Sequence, residues 1–261
     1  MSSEDEKKVW ETAIREVPLR PREVHVWRVR LCQPEPVIRR LRTFLSHDES
    51  LRAERFRFKR DRDSFEITRG ALRTILSSYL DVEPNELVFA YGPKGKPRLA
   101  FMRKNYRLNF NVSHSHELAL VAIANGLEVG IDIERIREDF ATDQIATQFF
   151  SSQELSSFRN VTGGKRAEFF FDCWTRKEAY IKAEGQGLSI PLNSFSVAFS
   201  SGESIQLQHG NDIDCRETIC WELFELLPGP EYKAALAVQR GASALRYLEW
   251  IFPMASRLSS V

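Results

Sequence analysis

Residues 127–135 read LEVGIDIER, and the interpretation of this stretch governs the interpretation of the whole chain. Successive side chains of a β-strand point to opposite faces, so the three branched apolar residues share one face. Gly130, Asp132 and Glu134 share the other face. Two carboxylates beside a residue without a side chain form a plausible half-site for a hard divalent cation such as Mg²⁺. The alternative is a half-exposed strand whose outer face is solvated.

The length and composition of the chain limit the classes of protein to which it can belong. The 261 residues are enough for one large domain or two smaller lobes. The 37 Lys and Arg residues balance 36 Asp and Glu residues, which predicts no general binding of nucleic acid. The four cysteines form no C-x-x-C pair, and the polar N-terminus is unlike a signal peptide. The longest apolar run, 118–124, is too short to span a membrane, so we expect a cytoplasmic protein without membrane contact.

Hydrophobic periodicity predicts an α+β chain of two packed lobes. Strands are predicted at 23–31, 107–112, 118–124, 194–199, 204–208, 219–226 and 232–239, and helices at 37–45, 51–80, 143–150, 152–158 and 168–184. The dipeptide Asn125-Gly126 is a hairpin signal, which would make VGIDIE the return strand of 118–124. The predicted division is a mobile segment 1–22, an N-terminal lobe 23–125, a C-terminal lobe 126–240 and a tail 241–261. No internal repeat is identifiable from sequence identity.

A second candidate site lies in the helical segment 169–188, FFFDCWTRKEAYIKAEGQGL. Glu178 and Lys182 are four residues apart and therefore lie on the same helix face. Glu178 also lies on the stripe that contains Trp174, which should face inward. One interpretation is an exposed ion pair of little energetic value. The other is a charged pair at a half-buried surface, which would bind a metal or a phosphate.

Three further segments could bind anions. Residues 52–73 carry eight basic and four acidic side chains on a predicted helix, which suits either an anion-binding edge or a solvated face with internal ion pairs. The turn YGPKGKPRLA at 91–100 is exposed and basic, although this composition is common in ordinary loops. Ser113 and His114 follow a strand, where a single histidine is more often structural than catalytic.

Taken in chain order, the motifs are a basic helix, a G-K-P turn, N-V-S-H-S, V-G-I-D-I-E and W-T-x-K-E-A-x-x-K-x-x-G-x-G. This set resembles the Sfp-type 4′-phosphopantetheinyl transferases of the two-lobe, broad-acceptor kind, over roughly residues 40–200. The last two motifs resemble the signature pair of that family, and 46 residues separate Asp132 from Glu178. The resemblance implies the 4′-phosphopantetheinyl transferase fold, with two pseudo-symmetric lobes that each contain a small antiparallel sheet packed by helices. It also implies a monomer.

The resemblance further implies a reaction. Such enzymes transfer the 4′-phosphopantetheine group of coenzyme A to a serine of an apo acyl or peptidyl carrier protein, in fatty-acid, polyketide or nonribosomal-peptide synthesis. The other product is adenosine 3′,5′-bisphosphate. By resemblance, Asp132, Glu134 and Glu178 bind Mg²⁺, with Mn²⁺ as an alternative ion. Glu178 and Lys182 are the implied catalytic residues, with Glu178 as a metal ligand, as the general base, or as both.

The implied contacts with coenzyme A are carried over position by position. They are Arg52, Lys94, Gly95, Lys96, Ser113, His114, Asp132 and Lys182. Arg60, Arg62 and Arg73 are left open between ligand contact and packing. Two alternatives stand beside the transferase: a module that binds coenzyme A or a nucleotide without catalysis, and a nucleic-acid binder that uses the basic helix. The interleaved acids and the near-zero net charge argue against the nucleic-acid binder.

Overall fold

The computed structural model describes residues 9–12, 17–92, 95–100, 107–185, 190–197, 205–208 and 221–252. Its strands are β1 Glu11–Thr12, β2 Glu23–Arg30, β3 Phe89–Tyr91, β4 Pro97–Leu99, β5 Leu108–Ser115, β6 Leu118–Asn125, β7 Val129–Arg135, β8 Ser196–Val197, β9 Ile205–Gln208, β10 Trp221–Leu226, β11 Tyr232–Gln239 and β12 Ala244–Glu249. Its helices are α1 Glu35–Arg42, α2 His47–Glu54, α3 Lys59–Leu80, α4 Asp143–Phe149, α5 Ser152–Asn160 and α6 Lys165–Glu184. Among these helices none is both long and apolar enough to cross a membrane.

The fold is α+β, with helices packed on two five-stranded sheets, as the periodicity predicts. The first sheet has the order β1-β12-β2-β6-β5, and the second has the order β7-β11-β10-β9-β8. Three apolar clusters define four layers. One cluster lies between the first sheet and α1 and α3, one lies between the two sheets, and one lies between the second sheet and α4–α6. We call the first sheet with α1–α3 the N-terminal lobe and the second sheet with α4–α6 the C-terminal lobe.

The terminal segments join the first sheet. The predicted division treats residues 1–22 as mobile and 241–261 as a tail, whereas Glu11–Thr12 and Ala244–Glu249 form strands. Strand β12 pairs in parallel with β2, and β1 pairs in parallel with β12, so the first sheet is mixed rather than purely antiparallel. Without β12, strand β2 would be at the edge of the sheet and would expose unpaired peptide groups. Pairing with β12 satisfies these groups.

The hairpin predicted at Asn125-Gly126 is wrong. Strand β6 pairs with β2 and β5, while β7 pairs with β11 of the other sheet. Both edges of β6 are therefore occupied, and no edge is left for β7. Gly126, with a φ of 79°, turns the chain from the first sheet to the second. The sequence signal identified a real turn but not which strands it connects.

The other boundaries differ in smaller ways. The predicted helix 51–80 is two helices, because residues 55–58 leave the helical path between α2 and α3. The predicted strand 107–112 extends to Ser115. Helix α6 ends where predicted, at Gly185, which adopts the left-handed conformation with a φ of 71°. Residues 198–199, 204 and 219–220 of the predicted last strands lie outside the described part of the chain.

Gly130 fixes the distance between α6 and β7. A Cβ atom on Gly130 would lie 2.1 Å from the carbonyl oxygen of Ala179 and 2.3 Å from the backbone nitrogen of Ala183. Both contacts are with backbone atoms, which cannot rotate away as a side chain could. The apolar face of β7 packs between the sheets, as alternation predicts, and the face with Gly130 and the two acids borders α6. The glycine therefore allows the helix to lie directly on this strand.

We predict that Gly130→Ala separates α6 from β7. The added methyl group overpacks the contact, which should lower the free energy of unfolding by about 1–3 kcal/mol or more. Urea denaturation measures this change. Gly164→Ala is the matched control, since Gly164 is in a right-handed conformation and a Cβ atom there meets nothing within 4 Å. Equal stability of the two variants would contradict the role assigned to Gly130.

Candidate active site

Strands β5 and β7 meet at the edges of their sheets through polar side chains of β5. The Asn111 side-chain oxygen accepts a hydrogen bond from the backbone N–H of Ile131 at 2.9 Å. The Ser113 hydroxyl donates to Asp132 at 2.8 Å, and the Ser115 hydroxyl donates to Glu134 at 2.9 Å. These alternate residues of β5 therefore hold both acids of β7 in place.

Sequence reasoning missed the roles of Asn111 and Ser115. The available signal was the period-two polar pattern of Asn109, Asn111, Ser113 and Ser115 in an otherwise apolar strand. An entirely apolar face would have packed between the sheets. The polar face instead marks the part of β5 that hydrogen-bonds to a neighbouring edge.

Asp132 and Lys182 form the central ion pair of this region. The Lys182 ammonium donates to Asp132 Oδ1 at 2.6 Å and to the Ser113 hydroxyl at 2.9 Å. Asp132 is 3 % exposed, while the Lys182 side chain is 29 % exposed. The structure thus brings together three of the residues predicted to contact coenzyme A, and the lysine remains accessible from solvent.

Glu134 and Glu178 lie within electrostatic range of Asp132. Burial raises the pKa of Glu178, and the negative charges of Asp132 and Glu134 raise it further, while Lys182 lowers it. Burial also raises the pKa of Glu134, followed by the charge of Asp132, while the hydrogen bond from Ser115 lowers it. Three carboxylates that repel one another in a half-buried position favour a bound cation.

The donor set fits a hard divalent cation, although the side chains are not arranged around one. Among the described residues, no group of three or more His, Cys, Asp or Glu side chains is close enough together to hold a metal ion. The Asp132 Oδ2 atom, however, is buried without a hydrogen-bond partner. An unpartnered carboxylate oxygen beside two mutually repelling carboxylates is what an oxygen-preferring ion requires.

Arg52 extends the positive region into the N-terminal lobe and lies within electrostatic range of His114. Nearby protein atoms displace water from the His114 ring and lower its pKa, and the charges of Lys182 and Arg52 lower it further. Arg52 lines a cavity of about 670 Å³ between α2, α3 and β3. The other lining residues are Asp48, Glu49, Leu51, Arg55, Phe56, Phe65, Arg69 and Tyr91. The cavity combines guanidinium groups with aromatic rings.

Lys96 is bound to backbone groups of β7 and α6. Its ammonium donates to the carbonyl oxygens of Val129 at 3.2 Å and Ala183 at 3.1 Å, and lies 3.6 Å from the Glu128 carboxylate. Burial lowers the pKa of this lysine. The Lys96 side chain therefore ties the β3–β4 turn to β7 and α6, and its predicted contact with coenzyme A stays a prediction.

Gly95 and Lys94 are the other two residues of the turn that are predicted to contact coenzyme A. Gly95 adopts a φ of 82°, which favours glycine, and its N–H donates to the Gly92 carbonyl at 2.9 Å. Lys94, and Gly187 of the longer motif, lie outside the described residues. The phosphate contact predicted for Lys94 stays a prediction.

Known proteins match both lobes of the chain. Residues 128–237 match the 4′-phosphopantetheinyl transferase superfamily, and residues 34–126 match the N-terminal region of a 4′-phosphopantetheinyl transferase family. The 4′-phosphopantetheinyl transferase HetI of Nostoc sp. is 39% identical over 216 residues, which cover 83% of this chain and 87% of that protein. The 4′-phosphopantetheinyl transferase gsp of Aneurinibacillus migulanus is 36% identical, over 63% of this chain and 68% of that protein. The 4′-phosphopantetheinyl transferase Sfp of Bacillus subtilis is 28% identical, over 65% and 73% respectively.

These matches agree with the motif set. The match to HetI extends over most of both proteins. The chain belongs to the 4′-phosphopantetheinyl transferase superfamily.

Proposed function

We propose that this protein transfers the 4′-phosphopantetheine group of coenzyme A to a serine of an apo acyl or peptidyl carrier protein. The observation that carries the proposal is the Asp132–Lys182–Ser113 cluster, with Glu134 and Glu178 in electrostatic range. A buried acid paired with an accessible lysine, beside two acids of raised pKa, suits the handling of an anionic substrate and a proton. The names of the similar proteins support the same reaction.

The reaction requires one proton transfer and one displacement at phosphorus. The carrier serine oxygen attacks the phosphorus that bears the pantetheine group, and a new P–O bond forms. The anhydride P–O bond breaks, and adenosine 3′,5′-bisphosphate leaves with the bond electrons. We assign the serine proton to Glu178, an acid of α6 that lies within electrostatic range of Asp132 and Lys182.

We assign Lys182 to the pyrophosphate of coenzyme A. Its ammonium bonds Asp132 and Ser113, which fix its position, and the side chain is partly exposed. A fixed positive charge at this point stabilises the negative charge that develops on the leaving phosphate. Asp132, Glu134 and Glu178 would hold Mg²⁺ or Mn²⁺, which when bound neutralises charge on the pyrophosphate.

We assign the nucleotide end of coenzyme A to the cavity beside α2. Arg52 and Arg55 supply positive charge for the 3′-phosphate, and Phe56 and Tyr91 supply aromatic surface for the adenine. Arg52 acts on His114 electrostatically, and His114 is similarly affected by Lys182. His114 therefore lies within electrostatic range both of the cavity arginine and of the lysine assigned to the pyrophosphate.

We further propose that the protein acts as a monomer in the cytoplasm. All members of the carboxylate and lysine cluster come from β5, β7 and α6 of a single chain, so the site is not built between subunits. Among the described cysteines, Cys32 and Cys173 are free thiols, which suits a reducing compartment.

We predict that Asp132→Asn and Glu178→Gln each reduce transfer by about 100-fold or more, because they remove a charge that the reaction uses. The measurement is mass spectrometry of an apo carrier protein incubated with coenzyme A and Mg²⁺, where each transfer adds one phosphopantetheine group. Glu138→Gln, at an exposed position, is the control and should keep full activity. Full activity of Asp132→Asn would contradict the transferase site. Binding of coenzyme A without transfer by the unmodified protein would favour the non-catalytic module.

We predict that Arg52→Ala weakens discrimination between coenzyme A and dephospho-coenzyme A, which lacks the 3′-phosphate. Loss of a charged hydrogen bond should raise KM for coenzyme A by about 10- to 100-fold. KM for dephospho-coenzyme A should change little. Arg39→Ala, on the exposed face of α1, is the matched control. An equal rise in KM for both substrates would contradict a 3′-phosphate contact at Arg52.

A further inference from the structure

A buried ion pair connects α5, α6 and the segment that follows α6. The Lys177 ammonium lies 2.8 Å from the Glu154 carboxylate, and each side chain is 1 % exposed. Lys177 also donates to the carbonyl oxygens of Leu192 at 2.7 Å and Phe195 at 2.6 Å. Its three donors therefore have three acceptors.

Glu154 is equally constrained. It is the third residue of the capping box that begins α5, and it accepts a hydrogen bond from the Ser151 backbone N–H at 2.8 Å. Its other oxygen accepts from the Val197 backbone N–H at 2.7 Å. We call Glu154 and Lys177, with the backbone groups that they bind, the C-terminal clamp. It fixes α6 to α5 and to β8.

The N-terminal lobe contains the same arrangement. Glu49 belongs to the capping box of α2 and accepts from Arg73 of α3 at 2.7 Å. Arg73 also donates to the carbonyl oxygens of Pro84 at 2.9 Å and Leu87 at 2.8 Å, after the end of α3. Arg73 is thus a structural residue, and we call it and Glu49 the N-terminal clamp.

Details of geometry also repeat between the two clamps. The Arg73 guanidinium carbon lies 4.9 Å from the centre of the Phe89 ring, and Lys177 Nζ lies 4.3 Å from the centre of the Phe195 ring. In the N-terminal lobe the aromatic residue follows the two bound carbonyl groups, whereas in the C-terminal lobe Phe195 itself supplies one of them. Different cations perform the same role, which is one reason that sequence identity does not reveal the repeat.

Stability alone is a poor explanation for the C-terminal clamp. Moving two charges out of water costs free energy that their attraction often does not recover, and apolar residues of similar size are frequently as good. Lys177, however, directly precedes Glu178 on α6. One face of this helix contacts Gly130 of β7, and the clamp holds the helix from another direction. Two such attachments prevent rotation of α6 about its own axis.

We infer that the Glu154–Lys177 pair positions Glu178 and Lys182 by fixing the rotation of α6 over β7. Neither clamp residue contacts the Asp132 cluster, so both act through the helix as positioning residues. The inference rests on the proposed transferase function, because its kinetic consequence is defined only for an active enzyme. Its structural consequence can be measured separately.

The test uses the full chain with the double substitution Glu154→Gln and Lys177→Met, which removes both buried charges together. We expect the variant to fold, with kcat reduced by about 100-fold because the catalytic groups are displaced. KM for coenzyme A should change less than kcat, since α6 carries the Lys182 contact while Arg52 is in the other lobe and keeps its position. Lys177→Arg, which copies the N-terminal clamp, should retain kcat.

The matched control is the double substitution Glu49→Gln and Arg73→Met in the N-terminal clamp. It removes a buried pair in the other lobe, but Glu49 also accepts from Arg69 at 2.8 Å and lines the cavity beside α2. We therefore expect KM for coenzyme A to rise while kcat is retained. A merely structural role would make both double variants lose activity in proportion to their unfolded fractions, as measured by circular dichroism, and would overturn the inference.

Hydrogen exchange gives a readout that does not depend on activity. Amides 178–185 should exchange faster in the Glu154→Gln and Lys177→Met variant than in the unmodified protein, and Lys177→Arg should restore protection. Unchanged protection together with unchanged kcat would overturn the inference. If the unmodified protein transfers nothing, the proposed function fails, and hydrogen exchange still decides whether the clamp fixes α6.

Discussion

The contact between the backbone of α6 and Gly130 is the constraint on which the site depends. A side chain at this position would occupy the space of the Ala179 carbonyl and the Ala183 amide. With glycine there, the helix lies against the strand that carries Asp132, and Lys182 reaches that carboxylate at 2.6 Å. The acids of β7 and the charged residues of α6 belong to segments distant in sequence. Their electrostatic interaction follows from this one close approach.

The edge of the first sheet completes the arrangement. Ser113 and Ser115 bind the two acids of β7, and Asn111 binds the neighbouring backbone N–H. These bonds orient the acids without neutralising them. Lys182 supplies one compensating charge, and the mutual repulsion of the remaining carboxylates leaves the site suited to further positive charge. The same lysine is partly exposed, so the cluster is both fixed and accessible.

Local patterns predicted much of this structure. Period-two alternation placed Gly130, Asp132 and Glu134 on one face of β7, and helical periodicity placed Glu178 with Lys182. Resemblance to the family predicted that the two segments contribute to one site, which periodicity alone could not predict. The pairing of strands was less accessible, because the Asn125-Gly126 turn is the same whether β7 pairs with β6 or crosses to another sheet. Occupied strand edges decided the outcome, and those are set by long-range contacts.

Side-chain roles that depend on burial could also not be predicted from the sequence. Lys96 and Arg73 look like anion ligands in a basic sequence, yet both bind backbone carbonyl groups in this fold. The partner of Lys177 is 23 residues earlier in the chain, on a helix whose position the sequence does not specify. The residue type alone does not show whether a lysine or arginine binds an anion or a backbone carbonyl group. Only the packing around it decides which acceptors it meets.

We propose that acids from β7 and α6 form a single cation site. Titration with Mn²⁺ in the presence of coenzyme A, followed by electron paramagnetic resonance, tests it most directly. We expect one tightly bound Mn²⁺ per chain. Its binding should be weakened both by Asp132→Asn on the strand and by Glu178→Gln on the helix. Tight Mn²⁺ binding that is insensitive to either substitution would contradict it.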